Sequence, residues 1–192
     1  MSVHAERASC RLTILALGLA LMICTIVITC SQARGFLSSH LLTPEAPAKV
    51  FDRILVEVKQ KARIPLLLPS QLPPPIDEAT HAFIGSISDE TYEIFLYYKL
   101  PAVEATFGAS FIGRSGVLPD WVKKRKPVKL ASGLKGYFSP QSCGGSCTPP
   151  QIHWQMDQAY YSVALKLLPI NEEEQEKLMV GVVDSAILGA VR

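Results

Sequence analysis

"QIHWQMDQAYYSVALKLL", Gln151–Leu168, is the stretch that decides the fold. Ile152, Trp154 and Met156 alternate with His153 and Gln155, so apolar side chains fall on one face of an extended strand. Asp157-Gln158 supplies a hairpin tip. Tyr161, Val163, Leu165 and Leu167 then repeat the period of two. Two such runs joined by a tight turn pair antiparallel, because a parallel pair needs a crossover of a dozen or more residues.

The same period extends upstream. From Thr80, "THAFIGSI" reads as a strand and "SDET" as a turn. "YEIFLYYKL" is a second strand, with Ile94, Leu96 and Tyr98 on one face. "EATFGASFI" places Ala105, Phe107, Ala109 and Phe111 together, and "GRSG", Gly113–Gly116, reads as a turn. "KPVKLA" and "LKGYFS" form two shorter strands around Ser132-Gly133.

Helix signals flank this β region. Thr43 is an N-cap residue, Pro44 suits the first helical position and Glu45 suits the positive dipole end. Val50, Ile54, Leu55 and Val58 recur at helical spacing, with Lys59, Lys61 and Arg63 at the end. At the other end Asn171 caps a helix, with Glu174 three residues on and Leu178, Met179, Val182, Val183, Ala186 and Ile187 as its apolar stripe. Between the first helix and the strands, "IPLLLPSQLPPP" excludes both a helix and a central strand. Its leucines favour an extended segment packed along the core over a ligand for aromatic grooves. The fold class that follows is α+β. An antiparallel meander of about six to seven strands carries an N-terminal and a C-terminal helix on one face.

The N-terminus points to a membrane. The 18 residues Leu12–Thr29, "LTILALGLALMICTIVIT", carry no charge and follow Arg7 and Arg11. That length spans a bilayer, and the preceding arginines keep the N-terminus cytoplasmic while the rest is exported. An uncleaved anchor, a secretory peptide cleaved after Ala33 in "SQA", and a lipoprotein signal lipidated at Cys30 in "VITC" are three ways to process it. Residues 1–33 are thus a signal peptide or anchor, 34–42 a spacer and 43–192 the exported domain. The chain's formal charge is +2. That excludes a strong bias toward nucleic acid.

Two features carry candidate chemistry. "SCGGSCTPP", Ser142–Pro150, sets Cys143 and Cys147 around a glycine-rich loop. Zinc needs two further ligands, and a thioredoxin-type centre needs two intervening residues at a helix N-terminus. The spacing also resembles the copper motif of the Sco-type copper chaperones, with Thr148 in place of their proline. In an exported chain the pair reads as a disulfide closing a hairpin loop, contributing about 2 kcal/mol on the chain-entropy model. "WVKKRKPVK", Trp121–Lys129, is the local charge anomaly. Trp121, Lys123, Lys124, Arg125 and Lys126 suit an anionic surface, against the plainer reading of a solvated loop bracketed by Pro119 and Pro127.

His4, His40, His81 and His153 have no second ligand at metal spacing, and His153 reads as solvent-facing. No nucleophile elbow, phosphate loop or dinucleotide fingerprint occurs. No catalytic residue, metal or cofactor is therefore expected.

From Gly136 onward, a glycine-aromatic strand, "IHW", "YYSVAL" and "NEEEQEKLMVGVVDSAI" follow in order. That series is similar to the C-terminal part of small exported or membrane-anchored bacterial domains of unknown function. The resemblance implies a bacterial envelope protein and an antiparallel hairpin, and it carries no catalytic residue over. The expected function is a non-catalytic binding or accessory module of the cell envelope, membrane-anchored or secreted. Its partners would be the membrane, through the N-terminal segment, and an unknown protein or lipid held by strands bearing Phe95, Tyr97, Phe107 and Phe111. The alternative is a thiol-redox or copper-handling protein using Cys143 and Cys147.

Overall fold

A computed structural model describes residues 45–79, 81–98, 106–167 and 170–190. The N-terminal segment 1–33, Cys30, the spacer, Thr43 and Pro44 lie outside the described residues. Among the described residues no helix is long and apolar enough to cross a membrane.

A short 3-10 turn, Lys49–Phe51, leads into α1, Asp52–Lys61. The strands are β1 (His81–Ile87), β2 (Thr91–Tyr98), β3 (Thr106–Ser115), β4 (Lys126–Lys129) and β5 (Lys135–Ser139). They continue as β6 (Ser142–Cys143), β7 (Cys147–Thr148), β8 (Gln151–Met156) and β9 (Ala159–Leu165), and α2 is Glu172–Leu188. Seven of the strands form one antiparallel sheet in the order β1-β2-β3-β9-β8-β5-β4, and β6 and β7 form a separate two-residue ladder. The α+β class and the antiparallel sheet agree with the sequence reading.

The strand order is not a simple meander. After β3 the chain runs through residues 116–125 to the far edge, lays down β4, and works back through β5 and β8 until β9 closes on β3. Short hairpin loops alone do not reveal such a step, because only the 116–125 connection departs from nearest-neighbour pairing. β3 also runs on to Ser115, past the turn expected at Gly113.

Register decides which residues share a face, because directly opposed side chains point the same way. Ile94, Phe111, Val163, Ile152 and Phe138 align across five strands. Tyr92, Gly113, Tyr161, Trp154 and Gly136 form the next row. Gly113 makes room in that row, since a Cβ there would lie 2.5 Å from the Tyr92 ring. Apolar side chains of both rows, on this Trp154 face of the sheet, share one cluster with Phe51, Ile54 and Val58 from the α1 region and Met179, Val182, Val183 and Ala186 from α2. Phe51 meets Phe111 edge to face at 5.4 Å.

The proline-rich segment is core, as its leucines suggest: Leu66, Leu67, Leu68 and Ile76 are all buried. Two tyrosines of the sheet hold it. The Leu67 N–H donates to the Tyr92 hydroxyl at 3.1 Å, and the Tyr161 hydroxyl donates to the Pro65 carbonyl at 3.2 Å. Burial pushes both phenols well above the ordinary tyrosine range.

α2 begins as expected, with the Asn171 side chain accepting from the Glu174 N–H at 2.9 Å. Its buried side includes Gln175, which accepts from the Gln141 N–H and donates to the Ile170 carbonyl. Leu178, counted in the stripe, is partly exposed. α1 begins later than the sequence suggested. Residues 45–48 are not helical, and Ala48 has extended backbone angles of −54° and 142°. Pro47 disfavours a helical residue before it, so the first turn forms only from Lys49.

Candidate functional site

The opposite side of the sheet, the His153 face, holds the candidate surface. It divides into a cationic-aromatic half on β5 and β8 and an aromatic half on β1, β2 and β3.

The first half is built by the crossover. Gln155 and His153 alternate with Trp154 along β8 and so point away from the core. Gln155 accepts from the Leu118 N–H at 2.8 Å and donates to the Gly116 carbonyl at 3.1 Å, which lays the start of the crossover over this face. Trp121 then meets His153 edge to face, with ring centroids 5.6 Å apart. Leu118 and Val122 are buried yet lie outside the main cluster. The apolar positions of "GVLPDWV" were the available signal for this packing, and the charge run beside them masked it.

His153 is therefore not solvent-facing, and only 8% of it is exposed. The expectation failed because strand alternation says which face a residue occupies, not whether a distant loop covers it. Desolvation pushes the imidazole down to about 4, with the Arg125 charge adding to the effect. A ring nitrogen lies 3.2 Å from the Gln151 amide oxygen.

The basic run is split by the strand it enters. Trp121 is 55% exposed, and Lys123 is held by Asp120 at 2.8 Å. Lys124 and Arg125 are exposed and, among the described residues, make no salt bridge. Lys126 leaves the group: it opposes Phe138 in the ladder and bridges Glu176 and Glu172 on α2, at 2.6 and 3.6 Å. Lys129 and Lys135 oppose each other on the His153 face, and Lys135 stands 5.2 Å over the Tyr137 ring. The structure thus gathers Trp121, Arg125, Lys129 and Lys135 near His153 and Tyr137, a different set from the contiguous run.

The second half arises from a register shift. Leu96 opposes Ala109, but Tyr97 opposes Phe107, so Gly108 is the extra residue of a bulge. The bulge turns Phe107 to the His153 face, away from Ala109 and Phe111. This corrects the single face expected for "EATFGASFI", whose Ala105 lies outside the described residues. Phe107, Phe95 and Tyr97 have ring centroids 6.3 Å apart in each pairing. Phe83 opposes Phe95 and is 59% exposed. All four aromatics lie outside the main cluster, whereas Phe111 is within it.

The cysteine loop is separate from both halves. Cys143 and Cys147 are joined as a disulfide, and the pair closes the β6-β7 ladder between β5 and β8. Residues 142–148 are exposed. Among the described residues, no group of three or more His, Cys, Asp or Glu is placed to hold a metal ion.

Charge is unevenly divided between helices and strands. The two helices together carry seven carboxylates and four cations, whereas the nine strands and the 116–125 crossover carry seven cations and two carboxylates, Glu93 and Asp120. No family model, curated protein or solved structure matches the chain.

Proposed function

We propose that the chain is a non-catalytic binding or accessory module of a bacterial cell envelope, with its ligand surface on the His153 face. In this reading both helices cover the Trp154 face, consistent with their shared apolar cluster. The other face is left to take a hydrophobic ligand, a lipid or an apolar peptide. The observation that carries the proposal is the group Phe95, Tyr97 and Phe107, whose rings meet one another outside the core, with Phe83 opposite Phe95 and open to solvent. Folding alone does not need four aromatics there, three of them half-buried and Phe83 exposed, and apolar side chains gathered outside the core mark an interaction site. The 18-residue apolar stretch at Leu12–Thr29 supports the envelope location.

Binding of an uncharged naphthylamine reporter to the full-length chain, followed by displacement with lipid, tests the surface. Phe83→Ser with Phe107→Ser should weaken the displaceable signal about tenfold, as expected for two lost apolar contacts. Unchanged binding in that variant ends the proposal. A topology reporter fused after Arg34 tests the location, and activity only on the cytoplasmic side rejects it.

A further inference from the structure

We infer that the His153 face docks flat on an anionic lipid bilayer, with the aromatic half entering the interface and the cationic half meeting the headgroups. This inference rests on the envelope reading above and names the partner of that same face.

Charge complementarity is the first argument. The excess of cations lies in the strands and crossover, and the excess of carboxylates in the helices. Helix and sheet layers are separated by about 10 Å, close to the screening length at physiological salt, so a surface feels one layer much more than the other. An anionic plane therefore attracts the sheet side and repels the helix side. Glu93 is the one carboxylate of the seven-stranded sheet itself. Asp89, Glu90 and Asp157 sit in the two turns at the end where Ser115 pairs with Ala159, whereas Tyr97 pairs with Phe107 toward the other end. Lys129 and Lys135 also stand toward the Ser115 end, next to the Gly136–Trp154 pair, so flat docking sets two cations beside those three carboxylates.

Side-chain type is the second argument. Phe83, Val117 and Trp121 are exposed, the first on β1 and the other two on the crossover. Tryptophan beside arginine and lysine is the composition of a membrane interface, where the indole sits at headgroup depth and the cations meet phosphate. A pocket for a single soluble lipid needs concavity, whereas this set is spread over strands and a loop as a surface is.

Chain length is the third. Residues 30–44 separate the apolar stretch from the first described residue. Fully extended, 15 residues reach at most about 50 Å. Where Leu12–Thr29 is kept as an anchor, a domain on so short a tether sees the bilayer at an effective concentration in the millimolar range, so weak docking suffices.

The test uses the full-length chain in vesicles of neutral lipid, and in vesicles with a substantial anionic fraction, each carrying brominated acyl chains. Trp121 and Trp154 are the two tryptophans, and Trp154 is buried, so contact quenching reports Trp121. The expected result is quenching in anionic vesicles that is weak in neutral ones and fades with added salt. Each cation near an anionic surface is worth about fivefold, so Arg125→Gln with Lys129→Gln and Lys135→Gln should shift docking on the order of 100-fold. The salt titration of the unaltered chain gives a reading that needs no variant. Equal quenching in both vesicle types, or none in either, overturns the inference. So does protection of Lys124 from acylation by a soluble acidic polysaccharide without lipid quenching. Retained reporter binding in those cases leaves the binding-module proposal standing, and loss of both removes the two together.

Discussion

Phe107 and Phe111 stand four residues apart on one strand and end on opposite faces of the sheet. Phe111 meets Phe51 in a closed apolar cluster, where volume and shape are fixed from every side. Phe107 meets Phe95 and Tyr97 on a face where nothing in the core depends on it. One extra residue, Gly108, separates a residue that folds the protein from one that is free to bind something. The difference teaches that the two faces obey different constraints, packing on one and chemistry of contact on the other.

The comparison breaks most directly at these two phenylalanines. Phe111→Ala should cost about 3–5 kcal/mol, the range for a buried phenylalanine that leaves a cavity. Phe107→Ala should cost about 1 kcal/mol or less, as for a side chain with an open side. Urea midpoints of the two variants measure this. Equal losses would mean that the bulge does not turn Phe107 away, and with it the aromatic half of the surface would go.

The next test concerns the covered part of the His153 face. The folded state holds the His153 pKa at about 4, below its ordinary 6.5, mainly by burial and secondly by the Arg125 charge. The unfolded chain therefore takes up the proton first as pH falls. Stability from this group is complete above about pH 6.5 and is lost as pH drops toward 4, by about 3 kcal/mol in total. Urea midpoints measured from pH 7 to pH 4 should show the slope, and Trp121→Ala should flatten it by letting water reach the ring. A slope that survives in His153→Gln would assign it to other groups.

Much of this architecture could be read in the residues, and the failures share a cause. The Gln151–Leu168 stretch announces its hairpin because two period-two patterns flank a polar tip, and β8 and β9 form there. Asn171 announces α2 because a cap is a local hydrogen bond. Cys143 and Cys147 meet because four residues of chain leave little alternative. What was illegible depends on distant partners. The bulge at Gly108 shows only in the pairing of β2 with β3. Cover over His153 comes from a connection more than 25 residues upstream, and the candidate cations come from both β4 and β5. Periodicity sees one strand at a time, and a surface is made of several.

The smallest expected effect separates the two faces within four residues. Alternation along β4 sends Lys126 and Val128 to the Trp154 face and Pro127 and Lys129 to the other. Lys126 consequently spends its charge on Glu176 and Glu172, while Arg125 stays exposed near His153. Lys126→Gln should lower the urea midpoint slightly, in keeping with an exposed ion pair, and leave anionic-vesicle docking unchanged. Arg125→Gln should do the reverse, weakening docking about fivefold with no loss of stability. The two substitutions remove the same unit charge from neighbouring positions, so total charge cannot explain a difference between them. If both weaken docking equally, the effect belongs to the net charge of the chain and the division between the faces carries no functional meaning.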